Sequence, residues 1–254
     1  MAWLAIVHAW RAEPLPAPGW AFLGWVTLGA VAQIAATAFL LAAMEARSFA
    51  LGVAYSKTEL LQIAVFGLAF LGDPLTLPAI VAVACGTLGV LLLSPADPQR
   101  PFAALASGLT TRPALLGLAS GAGFAFAAIG YRGAALALDG SFLMNAATAL
   151  AAAQLLQTLV LGGWLLWKTP AVVGATLRLW RPSMFAGFMG AAASAGWFSA
   201  FALQPAAHVR TLGLVELVFS YAVSRKLFRE RLTRLELAGM ALLAAGIAVI
   251  SLSA

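Results

Sequence analysis

Eight apolar stretches, each close to the length at which a helix crosses a bilayer, constrain this chain more than any other feature. They fall at roughly 20–44, 51–71, 77–94, 114–131, 142–167, 183–203, 210–228 and 236–253. An open sheet edge cannot persist in lipid, and the alternating pattern of a barrel is absent, so the stretches read as helices. Composition agrees: 63% of the 254 residues are hydrophobic and 9% charged, where an ordinary globular chain carries about 25% charged residues. The expected fold class is an all-α polytopic membrane protein, a helical bundle whose first partner is the lipid bilayer.

The net charge of +6 does not point to nucleic acid, because the basic residues lie between the apolar stretches, where loops face head groups. Cys85 is the single cysteine, so the chain has no internal disulfide. The opening "MAWLAIVHAWRAEP" lacks a basic n-region and is not read as a secretory signal. Turn chemistry marks the breaks: "GDP" at 72–74, "PADPQRP" at 95–101, "LDGS" at 138–141 and "QPA" at 204–206. The longest polar stretch, 95–113, is the natural boundary between two halves.

Displacing the chain on itself by 157 positions aligns those halves without a gap. Glu59 falls on Glu216, Asp73 on Glu230, Leu75-Thr76 on Leu232-Thr233, Gly89 on Gly246 and Ser94 on Ser251. Identities between apolar residues mean little in such a composition, whereas matched acids at two depths are informative. Two related halves with one junction are a common plan for secondary transporters. In this register residues 1–10 match 158–167. The first half then lacks its first helix and most of its second, and a start assigned at an internal methionine is the expected reason.

Two segments carry a family resemblance. "FRERLTRLELAGMALLAAGIAVI" (228–250) and "LGDPLTLPAIVAVACGTLGVLLL" (71–93) resemble the signature that closes each repeat of EamA-type members of the drug/metabolite transporter superfamily: an acid, a leucine two residues on, then a glycine-bearing helix. The first copy departs from it, with Asp73 for the usual glutamate and Ala82 where the second has Gly239. The resemblance implies ten helices in two inverted five-helix repeats: 1–98 as an incomplete first repeat, 99–112 as linker and 113–254 as the second. It also implies a bacterial-type inner membrane and a transporter, secondary active or facilitative, that exports small organic metabolites or drugs by alternating access. No nucleotide-binding motif argues for ATP-driven pumping, no cofactor is implied, and protons are a candidate coupling ion.

The pathway candidates follow from helical spacing. Tyr55, Glu59 and Gln62 share one face of a continuous helix, and Glu216 with Ser220 forms the corresponding stripe of the second half. A carboxylate at membrane depth costs several kcal/mol by contested estimates, so both acids are expected to face the bundle interior. Lys57 and Arg210 are the candidate neutralising partners, Lys57 reaching Glu216 or snorkelling to the head groups. Asp73 and Glu230 precede helices and read as structural caps. Asn145, Gln154 and Gln157 read as interhelical glue, and Tyr131 and Arg132 as span-end anchors or ligand contacts. Trp25, Trp197 and Phe198 can stack on a substrate or simply pack; Gly117 and Gly121 form a small helix-contact motif. His8 and His208 lack ligand spacing, so no metal site is expected.

Orientation stays open. Basic loops on one side place the C-terminus outside by the positive-inside rule, whereas the resemblance implies a cytoplasmic C-terminus. Two other functional readings also remain at this point: a membrane-embedded enzyme acting on a lipid or isoprenoid, and a shortened transporter without activity.

Overall fold

A computed structural model describes residues 2–45, 55–93, 103, 110–215 and 234–253, and the described residues are helical with no strand. In chain order the helices are α1 (Ala2–Arg11), α2 (Trp20–Glu45), α3 (Glu59–Leu71), α4 (Leu77–Leu93), α5 (Arg112–Leu136) and α6 (Phe142–Lys168), then α7 (Pro170–Arg178), α8 (Trp180–Leu203), α9 (Ala206–Gly213) and α10 (Arg234–Ser253). Four of them, α2, α5, α6 and α8, are long and apolar enough to cross a membrane; α3, α4 and α10 contribute shorter apolar segments. Tryptophans mark helix ends: Trp20 opens α2, Trp180 opens α8, and Trp167 closes α6 with the Lys168 ammonium 4.0 Å from its ring centroid. Amphipathic rings at such ends suit a membrane interface.

Local chemistry sets the helix limits. Ser141 caps α6 by accepting from the Met144 amide at 3.4 Å. Pro170 occupies the first turn of α7, where its missing N–H costs nothing. Gly72, at φ +67°, takes the left-handed conformation that ends α3. The hydroxyl that caps α4 is that of Thr76, which accepts from the Ala79 amide at 3.3 Å. Asp73, expected as a cap, lies four residues before this helix, and its counterpart Glu230 lies outside the described residues. Both α3 and α6 contain a π-helical turn, at Gly67–Leu71 and Thr158–Gly162.

The chain divides into two compact units, Met1–Ile34 with Ala127–Gln204, and Ala35–Phe126 with Pro205–Ala254. Each draws on both halves of the sequence. In the first unit α1 packs on α6, with Val7 against Met144 and Ala147. The α2 and α5 segments run antiparallel in backbone contact: a Cβ on Gly130 would fall 2.7 Å from the Gly29 nitrogen, while Gly133 faces the Trp25 ring. Trp25 is therefore a packing residue.

A loop closes this unit at one end. The Ser141 hydroxyl donates to Glu13, which is also paired with Arg11 at 2.8 Å. The Ser141 and Arg11 contacts hold the Glu13 carboxyl below its usual range. Asn145 locks the adjoining turn, donating to the carbonyls of Ala135 (3.1 Å) and Leu138 (2.8 Å) and accepting from the Gly140 amide. The glue role expected of Asn145 is local: it satisfies carbonyls at the end of α5 that have no helical partner.

In the second unit α4 and α10 pack antiparallel along their length. A Cβ on Gly89 would lie 2.8 Å from the Gly239 carbonyl oxygen, and one on Gly246 2.9 Å from that of Ala82. Ala79, Ala82 and Ile250 fill the space beyond. Small residues suit this interface because lipid offers helices no hydrophobic drive to associate, leaving close packing to hold them. Gly89→Ala would meet backbone, which cannot swing aside, and is expected to lose about 1–3 kcal/mol through overpacking. Gly24→Ala, with nothing within 4 Å of the added methyl, is expected to be neutral or slightly stabilising. Thermal unfolding of the two variants in detergent checks the contrast.

Candidate functional site

The second unit holds a buried ion pair built from two interrupted helices. A turn at Lys57–Thr58 breaks the stretch that was expected to be a continuous helix. The Thr58 hydroxyl donates to the Tyr55 carbonyl at 2.7 Å, competing for a group the helix ladder would otherwise use. It also accepts from Gln62 Nε2 at 2.9 Å. Helix α3 then begins at Glu59. The face that equal spacing assigns to Tyr55, Glu59 and Gln62 is consequently split. Tyr55 is buried against Ala114 and Leu118 as a packing residue, and Glu59 stands in the first turn of a new helix.

Gly121 of α5 makes room for this break. A Cβ there would fall 2.9 Å from the Ser56 carbonyl oxygen and 3.3 Å from the Glu59 nitrogen. The neighbouring Ser120 is fully buried, and its hydroxyl has no hydrogen-bond partner.

Glu59 is 8% exposed, and Arg210 Nη2 lies 2.5 Å from its Oε1. That oxygen has no aligned hydrogen bond, so the contact is one of charge rather than of a linear N–H···O bond. Arg210 occupies the last turn of α9, where the negative helix end favours a cation, and Glu59 the first turn of α3, where the positive end favours an anion. The sequence named Arg210 as a possible partner, and the structure brings it to Glu59. Lys57 stays in the turn, half-exposed. Glu216 and Ser220 lie outside the described residues, so the second stripe of the expected pathway has no placement here.

The first unit holds an uncharged polar cluster. Tyr131 donates its hydroxyl hydrogen to Gln33 Oε1. Gln157 Nε2 donates to the same Gln33 oxygen at 2.9 Å and to the Tyr131 oxygen at 3.0 Å. The Tyr131 ring lies 4.3 Å, centroid to centroid, from that of Phe198. Arg132, at the expected end of its span, reaches a neighbouring helix. It is buried and donates to the carbonyls of Phe201 (2.9 Å) and Gln204 (2.7 Å) at the end of α8, satisfying groups that the helix end leaves without partners. Gln33 escaped the sequence reading; the available signal was a lone amide midway along an otherwise apolar stretch.

Among the described residues, no group of three or more His, Cys, Asp or Glu side chains is placed to hold a metal ion. No protein-family model, curated protein or solved structure matches the chain.

Removing one partner of a buried ion pair strands the other charge, at a cost of about 3–5 kcal/mol, whereas removing both is close to neutral. Arg210 is partly exposed, its side chain at 28%, so water reduces that cost. Arg210→Gln is expected to lower thermal stability by about 3 kcal/mol, and Glu59→Gln/Arg210→Gln to recover most of the loss. Melting of the single and double variants in detergent measures both.

Proposed function

We infer that the chain is a multi-pass membrane transporter that moves small organic molecules by alternating access between two inverted repeats, in a bacterial-type inner membrane. The observation that carries this reading is the Glu59–Arg210 pair, held where two helices are interrupted. Charges within membrane segments are costly and collect at substrate or ion pathways. Interrupted helices lining the site are a recurring feature of secondary transporters.

Helix limits support the repeat. At a displacement of 157 positions the end of α1, Arg11, meets the end of α6, Lys168; the start of α4, Leu77, meets the start of α10, Arg234. The turn at Lys57–Thr58 meets the turn at Leu214. The glycine contacts exchange in the same register. Gly89 corresponds to Gly246 and Ala82 to Gly239, so the contact of Gly89 with Gly239 is the counterpart of that between Gly246 and Ala82. Antiparallel packing with exchanged partners is what a two-fold relation between two copies produces.

The pair gives the proposed cycle its energetic logic. Parting Glu59 from Arg210 leaves the buried Glu59 carboxylate without its neighbouring cation, so opening a route between α3 and α9 requires something to take the place of Arg210. A proton on Glu59 would release Arg210, and polar groups of a bound substrate would serve equally. Transport coupled to a gradient fits both.

Metabolite profiling of the medium tests the reading, using cells that express the wild-type chain, Glu59→Gln/Arg210→Gln or an empty vector. At least one small organic compound is expected to accumulate several-fold with the wild type and to return to the vector level with the equally abundant double variant. Identical profiles from all three would overturn the proposal.

A further inference from the structure

The corner between α6 and α8 collects positive charge that the first unit does not balance. The acids of that unit are Glu13 and Asp139. Glu13 is bonded to Ser141, and Asp139 lies two residues before Ser141, so both stand at the start of α6. Lys168 closes the same 27-residue span, about 40 Å away at the rise of an α-helix. Arg178 follows in the last turn of α7 and Arg181 in the first turn of α8. The unit's other cations are already engaged, Arg11 with Glu13 and Arg132 with the α8 carbonyls. Lys168, Arg178 and Arg181 are exposed, and the sequence holds no acid between Asp139 and Glu216.

The backbone keeps these three cations at one depth. Helix α7 has nine residues, about 14 Å of helix, and cannot cross a hydrocarbon core of about 30 Å. Single-residue breaks join it to both neighbours, at Thr169 (φ −142°, ψ 57°) and at Leu179 (φ −91°, ψ 38°). The Ser183 hydroxyl donates to the Thr176 carbonyl at 3.3 Å, fastening α7 to the first turn of α8. The nine residues therefore lie where two spanning helices end, at the boundary of lipid and water.

Exposed rings occupy the same corner. Trp164, Trp167 and Trp180 are open to the surroundings, the composition of a head-group belt. The Lys168 ammonium is 4.0 Å from the Trp167 ring centroid, and Arg181 Cζ is 5.4 Å from that of Trp180. Such contacts hold a cation in place without cancelling its charge, so both remain able to donate to an anion.

We propose that this corner binds the head group of an anionic phospholipid. Lys168, Arg178 and Arg181 meet its phosphate oxygens, and the three tryptophans lie along its glycerol and upper acyl chains. Clustered basic groups at helix ends read lipid charge in this way. A zwitterionic lipid offers the same phosphate but brings a cation of its own, which the cluster repels. The site does not depend on Glu59, Arg210 or transport.

The test offers the purified full chain equal parts of phosphatidylglycerol and phosphatidylcholine with matched acyl chains, and counts retained lipid by native mass spectrometry. The wild type is expected to keep phosphatidylglycerol several-fold over phosphatidylcholine. Lys168→Gln/Arg178→Gln/Arg181→Gln is expected to lower that preference at least about fivefold, the value of one such charge near a lipid surface. Arg47→Gln/Arg112→Gln/Arg234→Gln removes the same charge from the second unit and is expected to keep the preference. Equal retention of both lipids by the wild type, or equal loss in the two variants, would overturn the proposal. Hydrogen exchange on the unmutated chain covers the case in which a variant fails to fold. Peptides from 164–181 are expected to exchange more slowly in phosphatidylglycerol nanodiscs than in phosphatidylcholine ones, and identical rates there would also overturn it. Neither readout involves a gradient or a transported compound, so failure here is distinct from failure of the transport reading.

Discussion

Backbone contact at small residues is the constraint on which the rest of this structure depends. Lipid tails are as apolar as leucine, so helices gain nothing by hiding from them and must hold together through close packing and internal polar bonds. Gly29 with Gly130, and Gly89 and Gly246 with the opposing backbones of α10 and α4, supply that packing in the two units. Packing this close leaves few places for polar groups, and several of those present are satisfied by fixed partners. Arg132 closes the end of α8, Asn145 closes a turn and Thr76 caps α4.

Against that background the Glu59–Arg210 pair is unusual. It contributes little net stability, because the desolvation of two charges roughly offsets their attraction. The helix ends improve the balance, each charge meeting the complementary terminus. The pair is also asymmetric within the proposed repeat. The acid recurs, as Glu59 and Glu216, but the position equivalent to Arg210 is Val53, and that equivalent to Lys57 is Leu214. The acid of one half is thus neutralised by a base that only the other half carries. A pair that adds little stability yet ties two interrupted helices together suits a contact meant to be broken and remade.

Much of the helical framework was legible in the sequence, since span length and turn residues are local signals. The stretch expected at 20–44 is Trp20–Glu45, that at 142–167 is Phe142–Lys168, and that at 183–203 is Trp180–Leu203. The site was less legible because its features depend on contacts far along the chain. The break at Lys57–Thr58 needs the Thr58 hydroxyl to take the Tyr55 carbonyl and Gly121 to admit the α5 backbone. Nothing in "YSKTELLQ" alone distinguishes that from a continuous helix. The span expected to end at 131 runs on to Leu136, since Arg132 turns inward to carbonyls some seventy positions away rather than toward head groups. The partnership of Gln33 with Tyr131 and Gln157 likewise joins three helices that no spacing rule connects.

The packing of α4 against α10 supports the proposed repeat, and a single cross-link tests it most directly. A Cβ at position 246 would lie 3.3 Å from that of the native Cys85, a few tenths of an ångström short of the separation of about 3.5–4.5 Å that a disulfide spans. Mild oxidation of Gly246→Cys in membranes is expected to consume both thiols in an intrachain disulfide, detected by intact mass after alkylation. Ala248→Cys, on an exposed face of the same helix, is expected to stay reduced. Cross-linking of Ala248→Cys but not Gly246→Cys would contradict the register, and with it the proposed two-fold relation between the halves.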